Sequence, residues 1–380
     1  MKPSLSEIYV HPIKSTRGIE VSSVQVVESG LAFDRMMMLA DPDGRFVTAR
    51  EMPQLVLFQT ALLPDGVVIH SPDGDSIAVF YRDFTQRAPS EVWGNHFASL
   101  VAPETVNLWL SEKLGRALCL RWTGFHSERR VEGHAEQPLS YADGYPLLLI
   151  SAASLDVLQQ RCSQPLTMRQ FRPNLVVRDT EPFAEDSWKV IRIGEVIFDV
   201  VKPCGRCILT TVNPADGTLH SQREPLHTLT QFRRYGNDVD FGQNLIARNQ
   251  GLVRLDMPVE VLETAEPRVY PDNAHPLPAH THEERLEPLH SVLIETHGIA
   301  SGDIAFTGNN HHTLLDQLEA HNVPIPSSCR AGLCGTCRVT LLSGEVTALT
   351  NSAVRGDKIL ACSCIPRTNL QLKLRRKVRE

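Results

Sequence analysis

The chain has 380 residues, of which 42% are hydrophobic and 22% are charged, and this is ordinary usage for a globular protein. Its length exceeds what one hydrophobic core usually organises, so two or three domains are expected. The formal net charge of −6 excludes a broad basic surface for a nucleic-acid polymer or an anionic membrane, but not a local basic pocket for one phosphate.

The N-terminus and the cysteines indicate the compartment. Residues 1–10 form a strand-like run without the apolar core of a signal peptide, and no stretch approaches the roughly 18 apolar residues of a membrane span. The nine cysteines are clustered, with five between positions 329 and 364 and two at 204 and 207. An odd, clustered set without an export signal favours metal ligation over disulfides, so we expect a cytoplasmic protein.

Short strands separated by Gly, Pro and Asp are predicted over most of residues 1–263. A helix is predicted at Ala152–Cys162, where apolar residues recur at helical spacing after Ser151 as N-cap. The predicted strands of this part are Val24–Val27, Met36–Leu39, Leu55–Phe58, Gly66–His70, Leu147–Ser151, Leu175–Arg178, Val190–Ile193, Val196–Val201, Ile208–Val212, Val253–Leu255 and Val259–Leu262.

The composition changes after about residue 263. Residues 264–288 are rich in Pro, His and Glu and almost without periodicity, which is typical of a linker. Beyond it, a compact unit is predicted with a helix at Thr313–His321 and strands at Ile304–Phe306, Arg338–Leu342 and Gln371–Leu374. The predicted domains are therefore 1–120, 121–263 and 289–380, with the linker before the last.

Three cysteines of the last domain, Cys329, Cys334 and Cys337, have the C-x4-C-x2-C spacing of plant-type [2Fe–2S] proteins. An exposed loop can wrap three thiolates around a cluster, and Gly332 and Gly335 let backbone N–H groups approach the sulfides. Zinc would more often show two C-x2-C pairs, and disulfides conflict with the expected compartment. The spacing therefore predicts one [2Fe–2S] cluster.

Two cysteines compete to be the fourth, distant cluster ligand, namely Cys362 and Cys364. The segment Ser328–Val339 resembles a plant-type ferredoxin, and in that family the fourth cysteine is followed by a proline four residues on. Cys362 matches this pattern through Pro366, so the resemblance implies Cys362. Cys364 stays a minor alternative, because the interval from Cys337 is shorter than in most relatives.

A lone C-x2-C pair, Cys204 and Cys207, lies in the segment Lys202–Val212. A redox dithiol needs a helix N-terminus, whereas a β-branched run follows here, and half a zinc site lacks a second pair nearby. A thiolate presented to a softer metal, with Arg206 close by, and two buried structural cysteines are further interpretations. The pair alone does not decide between them.

Other motifs give this pair a context. Together with Cys204–Cys207, the segments Tyr9–Ser15, Phe33–Arg35, Val47–Arg50 and Arg169–Val176 resemble the MOSC family and its associated N-terminal β-barrel. By the order of its three parts the chain resembles the bacterial YcbX type, and it is similar to the mitochondrial amidoxime-reducing component. The implied fold is mainly β with α+β, with a MOSC N-terminal β-barrel at 1–120, a MOSC β-barrel at 121–263 and a β-grasp ferredoxin at 289–380.

The resemblance implies a molybdenum–pyranopterin cofactor, whose phosphate and anionic dithiolene need cationic and hydrogen-bonding partners. The second cysteine of the pair binds molybdenum in the family, which implies Cys207 as the catalytic ligand and Cys204 as a residue that either supports that ligand or serves packing. Asp143 is followed by Gly144 and Tyr145 where relatives carry small polar residues, which implies a differently shaped substrate mouth. The implied cofactor-binding residues are Lys14, Ser15, Arg35, Thr48, Arg50, Asp143, Arg172 and Asn174.

The function implied by the resemblance is detoxifying reduction of N-hydroxylated compounds, including N-hydroxylated base analogues. Electrons would pass from a flavoprotein NAD(P)H reductase through the cluster to molybdenum. A non-catalytic alternative is a cofactor- or sulfur-carrier MOSC module with a ferredoxin relay domain. Neither interpretation requires a nucleic-acid polymer or a membrane as partner.

Overall fold

The computed structural model describes residues 2–236, 238–270, 290–298, 302–310, 312–327, 330, 332, 335–349 and 353–374. The chain divides into two compact units. Unit 1 comprises Met1–Cys204, Leu209–His220 and Phe241–Arg268, and unit 2 comprises Gly205–Ile208, Ser221–Asp240 and Val269–Glu380. Strands dominate both units and helices are few, which confirms the predicted fold class. The linear domain boundaries stay predictions, because the compact units are not contiguous in sequence.

The first strands of the chain are short. They are β1 (Ser4–Val10), β2 (Ile19–Glu20), β3 (Ser23–Val27), β4 (Gly30–Leu31), β5 (Met37–Ala40), β6 (Phe46–Val47), β7 (Gln59–Leu63), β8 (Gly66–His70), β9 (Ser76–Phe80), β10 (Gln86–Val92), β11 (Asn95–Val101) and β12 (Cys119–Trp122). β10, β11, β12, β5 and β6 form one sheet in that order, and β7, β8 and β9 form another. Helix α1 (Glu104–Leu114) buries Val106, Leu110 and Leu114 in their common core, and it ends at Gly115, whose φ is 65°.

The next strands complete the sheets up to the predicted linker. They are β13 (Arg130–Val131), β14 (His134–Pro138), β15 (Leu147–Ser151), β16 (Leu175–Arg178), β17 (Trp188–Ile193), β18 (Val196–Gly205), β19 (Arg234–Tyr235), β20 (Asp238–Ala247), β21 (Gly251–Arg254) and β22 (Val259–Thr264). The largest sheet has the order β2-β1-β16-β15-β20-β18-β17-β22. Strand β1 is antiparallel to β16, so the N-terminal strand belongs to the same sheet as residues predicted in the second domain.

The centre of this sheet is apolar on both faces. All five residues of β15 are buried, and so are the first three of β16, which runs parallel to it. Continuous burial explains why these strands read as unbroken apolar runs in the sequence. Helix α2 (Ala152–Arg161) begins directly after β15, as predicted, although Ser151 makes no side-chain cap bond and its hydroxyl lies 2.6 Å from that of Thr180.

Two predicted strands are wrong, because both segments form 3₁₀ helices. Leu55–Phe58 was predicted as a strand, but the chain turns at Pro53–Leu57, where the fixed φ of proline suits the first turn of a helix. Ile208–Val212 was predicted as a strand, but a 3₁₀ helix occupies Ile208–Thr211. β-Branched residues fit a pleated surface only where the surroundings supply one, so their propensity alone does not fix a strand.

Unit 2 contains a sheet covered by one helix. Its order is β24-β23-β30-β25-β28-β27, and helix α4 (Leu314–Ala320) begins at Thr313, whose hydroxyl accepts a hydrogen bond from the Asp316 amide at 3.2 Å. Helix α3 (Leu226–Phe232) belongs to the same unit. The strands are β23 (Ser291–His297), β24 (Ile304–Asn309), β25 (Arg338–Ser343), β26 (Val346–Ala348), β27 (Val354–Arg355), β28 (Lys358–Leu360), β29 (Cys364–Pro366) and β30 (Leu370–Lys373). None of the helices in the described ranges is long and apolar enough to cross a membrane.

Candidate cofactor sites

The eight residues predicted to bind the pterin cofactor all lie in unit 1, at or next to the ends of strands. Lys14 and Ser15 follow β1, Arg35 precedes β5, and Thr48 and Arg50 follow β6. Asp143 precedes β15, and Arg172 and Asn174 precede β16. Loops at strand ends can carry such side chains, because the sheet behind them fixes their positions.

One group of these residues surrounds the carboxylate of Asp143. The Lys14 ammonium forms an ion pair with it and also donates to the Tyr141 carbonyl oxygen at 2.7 Å. The Arg50 guanidinium lies 3.7 Å from the other carboxylate oxygen, and the Trp93 indole N–H donates to Asp143 at 3.1 Å. Arg50 also stacks over the Trp93 ring, 4.4 Å from its centroid. Two cations therefore share one carboxylate.

Burial and neighbouring charges together shift the pKa values of Lys14 and Asp143. The pKa of Lys14 is lowered to about 8, chiefly by burial and also by the nearby Arg50 charge, while the Asp143 carboxylate opposes this shift. Desolvation alone would raise the pKa of the Asp143 carboxyl, but the Lys14 and Arg50 charges hold it well below its usual range. The Lys14 side chain is only 7% exposed, whereas that of Asp143 is 54% exposed. An anion bound here would relieve the charge imbalance.

A second group surrounds Asn174, which is almost fully buried. The Arg35 guanidinium is ion-paired with Asp34 and donates to the Asn174 carbonyl oxygen and to the Arg172 backbone oxygen, both at 3.0 Å. The Asn174 side-chain amide donates to the Tyr9 backbone oxygen at 3.2 Å. Arg35 is thus held in one orientation by three acceptors from two distant parts of the chain.

The backbone of Tyr141 connects the two groups. Its N–H donates to the Arg35 carbonyl at 2.8 Å, and its own carbonyl accepts from Lys14. Thr48 supports the first group, since its hydroxyl accepts from the Arg50 N–H at 3.3 Å. The predicted residues therefore belong to one hydrogen-bonded network, although Ser15 joins it only through its place next to Lys14.

Three residues of the network have left-handed backbone conformations that non-glycine residues rarely adopt. The φ angles are 72° at Ser15, 47° at Arg35 and 54° at Arg172. Each costs of the order of 1–3 kcal/mol and persists only where surrounding contacts enforce it. Such strain concentrates at functional sites, which supports the assignment of this region as a binding site.

Arg172 also lines a cleft of about 450 Å³ in unit 1, which no other predicted residue lines. The cleft contains Arg17, Arg169 and Arg172 and not one carboxylate among its lining residues. Arg172 donates to the Thr16 backbone oxygen at 2.6 Å, and Arg169 to the Gly18 backbone oxygen at 3.2 Å. The lining residues are Tyr9, His11, Arg17, Gly18, Val56, Arg169, Gln170, Arg172, Pro173, Leu209, Val212 and Pro214.

Sequence analysis missed His11 and Arg17, which flank the Lys14–Ser15 motif and line the cleft. The His11 ring is 2% exposed, and its Nε2 lies 3.2 Å from the Pro173 carbonyl. Burial, together with the Arg172 and Arg35 charges, holds its pKa well below the usual range, so the ring is neutral. Donation from Nε2 leaves Nδ1 as a buried acceptor without a partner among the described residues. The available signal was the position of His11 within the segment Tyr9–Ser15 and of Arg17 two residues after it.

The C-x2-C pair lies at the end of β18. Cys204 is part of that strand in unit 1, and Cys207 follows it in unit 2; both residues are half-buried. The Arg206 N–H between them donates to the Val239 carbonyl at 2.7 Å, which fixes this loop against β20. The role of Cys207 as a molybdenum ligand stays a prediction.

Of the four predicted cluster ligands, Cys329 and Cys334 lie outside the described residues. Cys337 and Cys362 are 3% and 5% exposed, and the Cys362 N–H lies 3.5 Å from the Cys337 Sγ. The Gly332 N–H donates to the Cys362 Sγ at 3.2 Å. Backbone N–H groups aimed at both sulfurs suit thiolates that ligate a cluster.

Cys364 has different surroundings. It is fully buried in the apolar core of unit 2, and its Sγ lies 3.8 Å from the Ala353 carbonyl oxygen. Burial raises the pKa of its thiol to about 12. This geometry favours Cys362 as the ligand, and the ligand set itself stays a prediction.

Comparison with known families divides the chain into three parts. The MOSC N-terminal beta barrel domain matches residues 2–117, the MOSC domain matches 136–260, and the 2Fe-2S iron-sulfur cluster binding domain matches 299–367. The chain is therefore a MOSC-domain protein with a C-terminal [2Fe–2S] domain. This confirms the resemblance found in the sequence and the kind of cluster it predicts.

Similarity to named proteins shows to which family of MOSC-domain proteins the chain belongs. The Mus musculus protein named mitochondrial amidoxime-reducing component 1 is 30% identical over 288 residues, which cover 68% of this chain and 82% of that protein. The Homo sapiens protein of the same name is 29% identical over 281 residues, covering 68% and 83%. An Oryza sativa subsp. japonica protein named molybdenum cofactor sulfurase is 30% identical over 265 residues, covering 63% and 32%. The chain belongs to the family of the amidoxime-reducing components.

The residues present in unit 1 fit an anionic, phosphate-bearing cofactor. Lys14 and Arg50 are two cations that share one carboxylate, that of Asp143. The cleft adds the forked donors of Arg17 and Arg172, whereas the third arginine, Arg169, is paired with Glu20 at 3.1 Å. The buried Nδ1 of His11 adds an acceptor for a ring N–H or hydroxyl. The network and the cleft together thus offer the donors and the acceptor that a pterin phosphate needs.

Proposed function

We propose that this protein is a cytoplasmic, molybdenum-cofactor-dependent reductase of N-hydroxylated compounds, supplied with electrons through its own [2Fe–2S] cluster. The observation that carries the proposal is the joint placement of the predicted pterin ligands in one network around Tyr141, in a chain that belongs to the amidoxime-reducing component family. Reduction of an N–OH group to N–H takes up two electrons and two protons and releases water.

When bound, the molybdenum cofactor supplies a two-electron redox centre for cleavage of the N–O bond. The chain supplies the binding site. In this proposal Arg172 and Arg17, which line the cleft, would hold the phosphate, and Lys14 and Arg50, which pair with Asp143, would balance the anionic dithiolene. Cys207 would offer a thiolate to the metal. The Arg35–Asn174 pair keeps the strained loop before β16 in place.

Asp143 and Trp93 are the best candidates for the substrate mouth. Both side chains are partly exposed, at 54% and 38%, while the Lys14 and Arg50 side chains behind them are buried. The Asp143 carboxylate is ionised and can accept a hydrogen bond from the N–H or O–H of an amidoxime. The Trp93 ring can cover an apolar substituent. Small N-hydroxylated substrates suit a mouth of this kind.

The electron donor in this proposal is a flavoprotein NAD(P)H reductase that reduces the [2Fe–2S] domain. The supporting observation is the fusion of that domain to the MOSC domains, since tethering makes delivery to molybdenum intramolecular. The physiological role would be detoxification of N-hydroxylated compounds, including N-hydroxylated base analogues. Deletion of the gene should then sensitise its host to such analogues, and unchanged growth would contradict that role.

The proposal is tested on one purified sample of the full chain. Metal analysis should give molybdenum and two irons for each cluster, and a simple amidoxime should be reduced to its amidine by a chemical reductant. A sample that contains both metals and forms no amidine would contradict the proposed activity. Cys207→Ser protein, loaded with iron to the same level, serves as the matched control and should form none.

A carrier function is the second candidate, favoured by the similarity to the molybdenum cofactor sulfurase. In that case the MOSC domain would bind and hand over the cofactor or its sulfur without turning over a substrate. Transfer of molybdenum cofactor from this protein to a cofactor-free acceptor enzyme, without amidoxime turnover, would support the carrier. Amidine formation without transfer would reject it.

A further inference from the structure

A hydrogen-bonded chain in unit 2 leads from an arginine to the sulfur of the predicted fourth cluster ligand. The Arg223 guanidinium donates to the Ser363 hydroxyl oxygen at 3.2 Å, and that oxygen lies 3.6 Å from the Sγ of Cys362. Arg223 comes from the MOSC part of the sequence, 140 residues before Ser363. All three residues belong to the same compact unit.

The chemistry of the three groups determines which of them donates and which accepts in these hydrogen bonds. Arginine can only donate, so the Ser363 oxygen must accept from it through a lone pair. The hydroxyl has a single hydrogen, and the Cys362 Sγ is an acceptor within reach of it. Ser363 is fully buried, so water does not compete for that hydrogen. The positive charge of Arg223 polarises the hydroxyl and strengthens its donation to sulfur.

The backbone conformation and burial around Arg223 fix the position of this residue next to Ser363. Its φ of 58° lies in the left-handed region, and Glu224 and Pro225 directly after it are buried. The same segment, Ser221–Asp240, contacts Tyr270 twice: the Arg233 guanidinium lies 4.0 Å from the ring centroid, and Asp240 accepts from the hydroxyl at 3.0 Å. These contacts fix the segment within unit 2.

The segment also contacts the loop that carries the predicted molybdenum ligand. Val239 accepts the hydrogen bond of the Arg206 N–H, and Arg206 is the neighbour of Cys207 in sequence. One segment thus contacts the turn that carries Cys362 and the loop that carries Cys207.

We propose that Arg223 and Ser363 form a relay that donates to the Cys362 thiolate and raises the reduction potential of the [2Fe–2S] cluster. The inference deepens the proposed function and rests on Cys362 as a cluster ligand. Reduction adds an electron to an already anionic cluster, so a donor to its sulfur stabilises the reduced form more than the oxidised form. Arg223 acts through Ser363 and is a positioning residue.

The test is a redox titration of the full, cluster-loaded chain, monitored by the EPR signal of the reduced cluster. Ser363→Ala and Arg223→Gln should each lower the potential, by up to tenfold in the equilibrium constant for reduction, or about 59 mV for a one-electron couple. The double variant should be no lower than Ser363→Ala, because the arginine has lost the group through which it acts. Arg223→Lys keeps a cationic donor and should retain part of the effect.

Arg355→Gln is the matched control, since it removes an exposed arginine from strand β27 of the same domain and should leave the potential unchanged. An unchanged potential in Ser363→Ala or Arg223→Gln would overturn the relay. Additive shifts would also overturn it, since they indicate independent effects of charge and hydroxyl. These outcomes do not depend on molybdenum or amidoxime, so a failed relay and a failed reductase assignment are distinguishable.

Discussion

The Lys14 ammonium donates to the Tyr141 carbonyl oxygen at 2.7 Å, across 127 residues of sequence. This bond joins the loop after β1 to the segment before β15, and the Tyr141 N–H extends it to Arg35. The Tyr141 carbonyl and the Asp143 carboxylate both accept from this lysine, which is almost completely buried. The cost of burying that charge is therefore only partly offset in the cofactor-free protein.

The stability of unit 1 should consequently rise with pH. The folded pKa of Lys14, about 8, lies below its ordinary 10.5, so between these values the unfolded chain binds more protons than the folded one. Unfolding therefore becomes less favourable as the pH rises through that window, by about 3 kcal/mol in all. Asp143 stays ionised throughout, because its pKa is lowered. Denaturant unfolding of cofactor-free protein, followed by tryptophan fluorescence, measures this, since all four tryptophans lie in unit 1.

Lys14→Met should remove that pH dependence between pH 8 and 10, while Lys189→Met, which removes an exposed lysine, should keep it. Parallel pH profiles for the wild type and Lys14→Met would show that Lys14 is not the titrating group.

Arg172→Ala should weaken retention of the pterin. The substitution removes a forked cationic donor from the cleft, and a charge-assisted hydrogen bond contributes about 1.5–3 kcal/mol, or roughly 10- to 100-fold in affinity. Molybdenum content after extended dialysis measures the effect. Arg178→Ala is the control, because that arginine is exposed and paired with Asp256 at 2.6 Å. Equal molybdenum in the two variants would argue against direct contact.

The C-x2-C cysteines should differ in their effect on activity. Cys207→Ser should abolish amidoxime reduction, because a hydroxyl is a harder and far less acidic ligand than a thiol. Cys204→Ser should keep a substantial part of it, since Cys204 lies within strand β18 and is not the predicted metal ligand. Amidine formation with a chemical reductant gives the comparison, and an equal loss in both variants would indicate a dithiol mechanism or a shared structural role.

Substitution of Cys362 and of Cys364 should affect the visible absorption of the cluster differently. Cys362→Ser should abolish or grossly destabilise the cluster, because the Sγ that accepts from the Gly332 N–H would be replaced by a poor iron ligand. Cys364→Ser should leave the absorption nearly unchanged, although a hydroxyl in its apolar surroundings should cost stability. The opposite pattern would mean that Cys364 closes the cluster.

Local sequence patterns predicted the bounds of some strands correctly. The strands Gly66–His70, Leu147–Ser151 and Leu175–Arg178 have the predicted bounds, because each is an apolar run bounded by turn residues or a cap. Strand β20 was missed, although it lies between β15 and β18. Its Gln243 and Asn244 look unsuited to a central strand until their distant partners are known: Gln243 donates to Asp186 at 2.7 Å, and Asn244 to the Pro203 backbone at 3.3 Å.

Helix α1 was also missed. Its buried residues, Val106, Leu110 and Leu114, recur every four positions, but the exposed Leu108 interrupts that pattern in the sequence. This helix is stabilised mainly by packing on the core, and the sequence of residues 104–114 alone does not show that packing.

For the candidate site as well, some features could be predicted from the sequence and others could not. Motif matching found the residues of the network, but not their connections, because Arg35 and Asn174 are 139 residues apart in sequence. The left-handed backbone of Arg172 results from the 3₁₀ helix Met168–Phe171 that it terminates. An arginine in a sequence does not predict a positive φ, so this backbone strain is seen only in the structure.

The most direct test of the central claim is anaerobic reoxidation of the cluster in the full molybdenum-loaded chain. The protein is reduced chemically, freed of excess reductant and mixed with an amidoxime, and the EPR signal of the reduced cluster is followed with the amidine formed. The account predicts that the signal disappears with one amidine per two electrons lost, and that it persists in Cys207→Ser protein carrying the same cluster. A cluster that stays reduced in the wild-type protein while amidine forms would contradict electron delivery through the protein's own cluster.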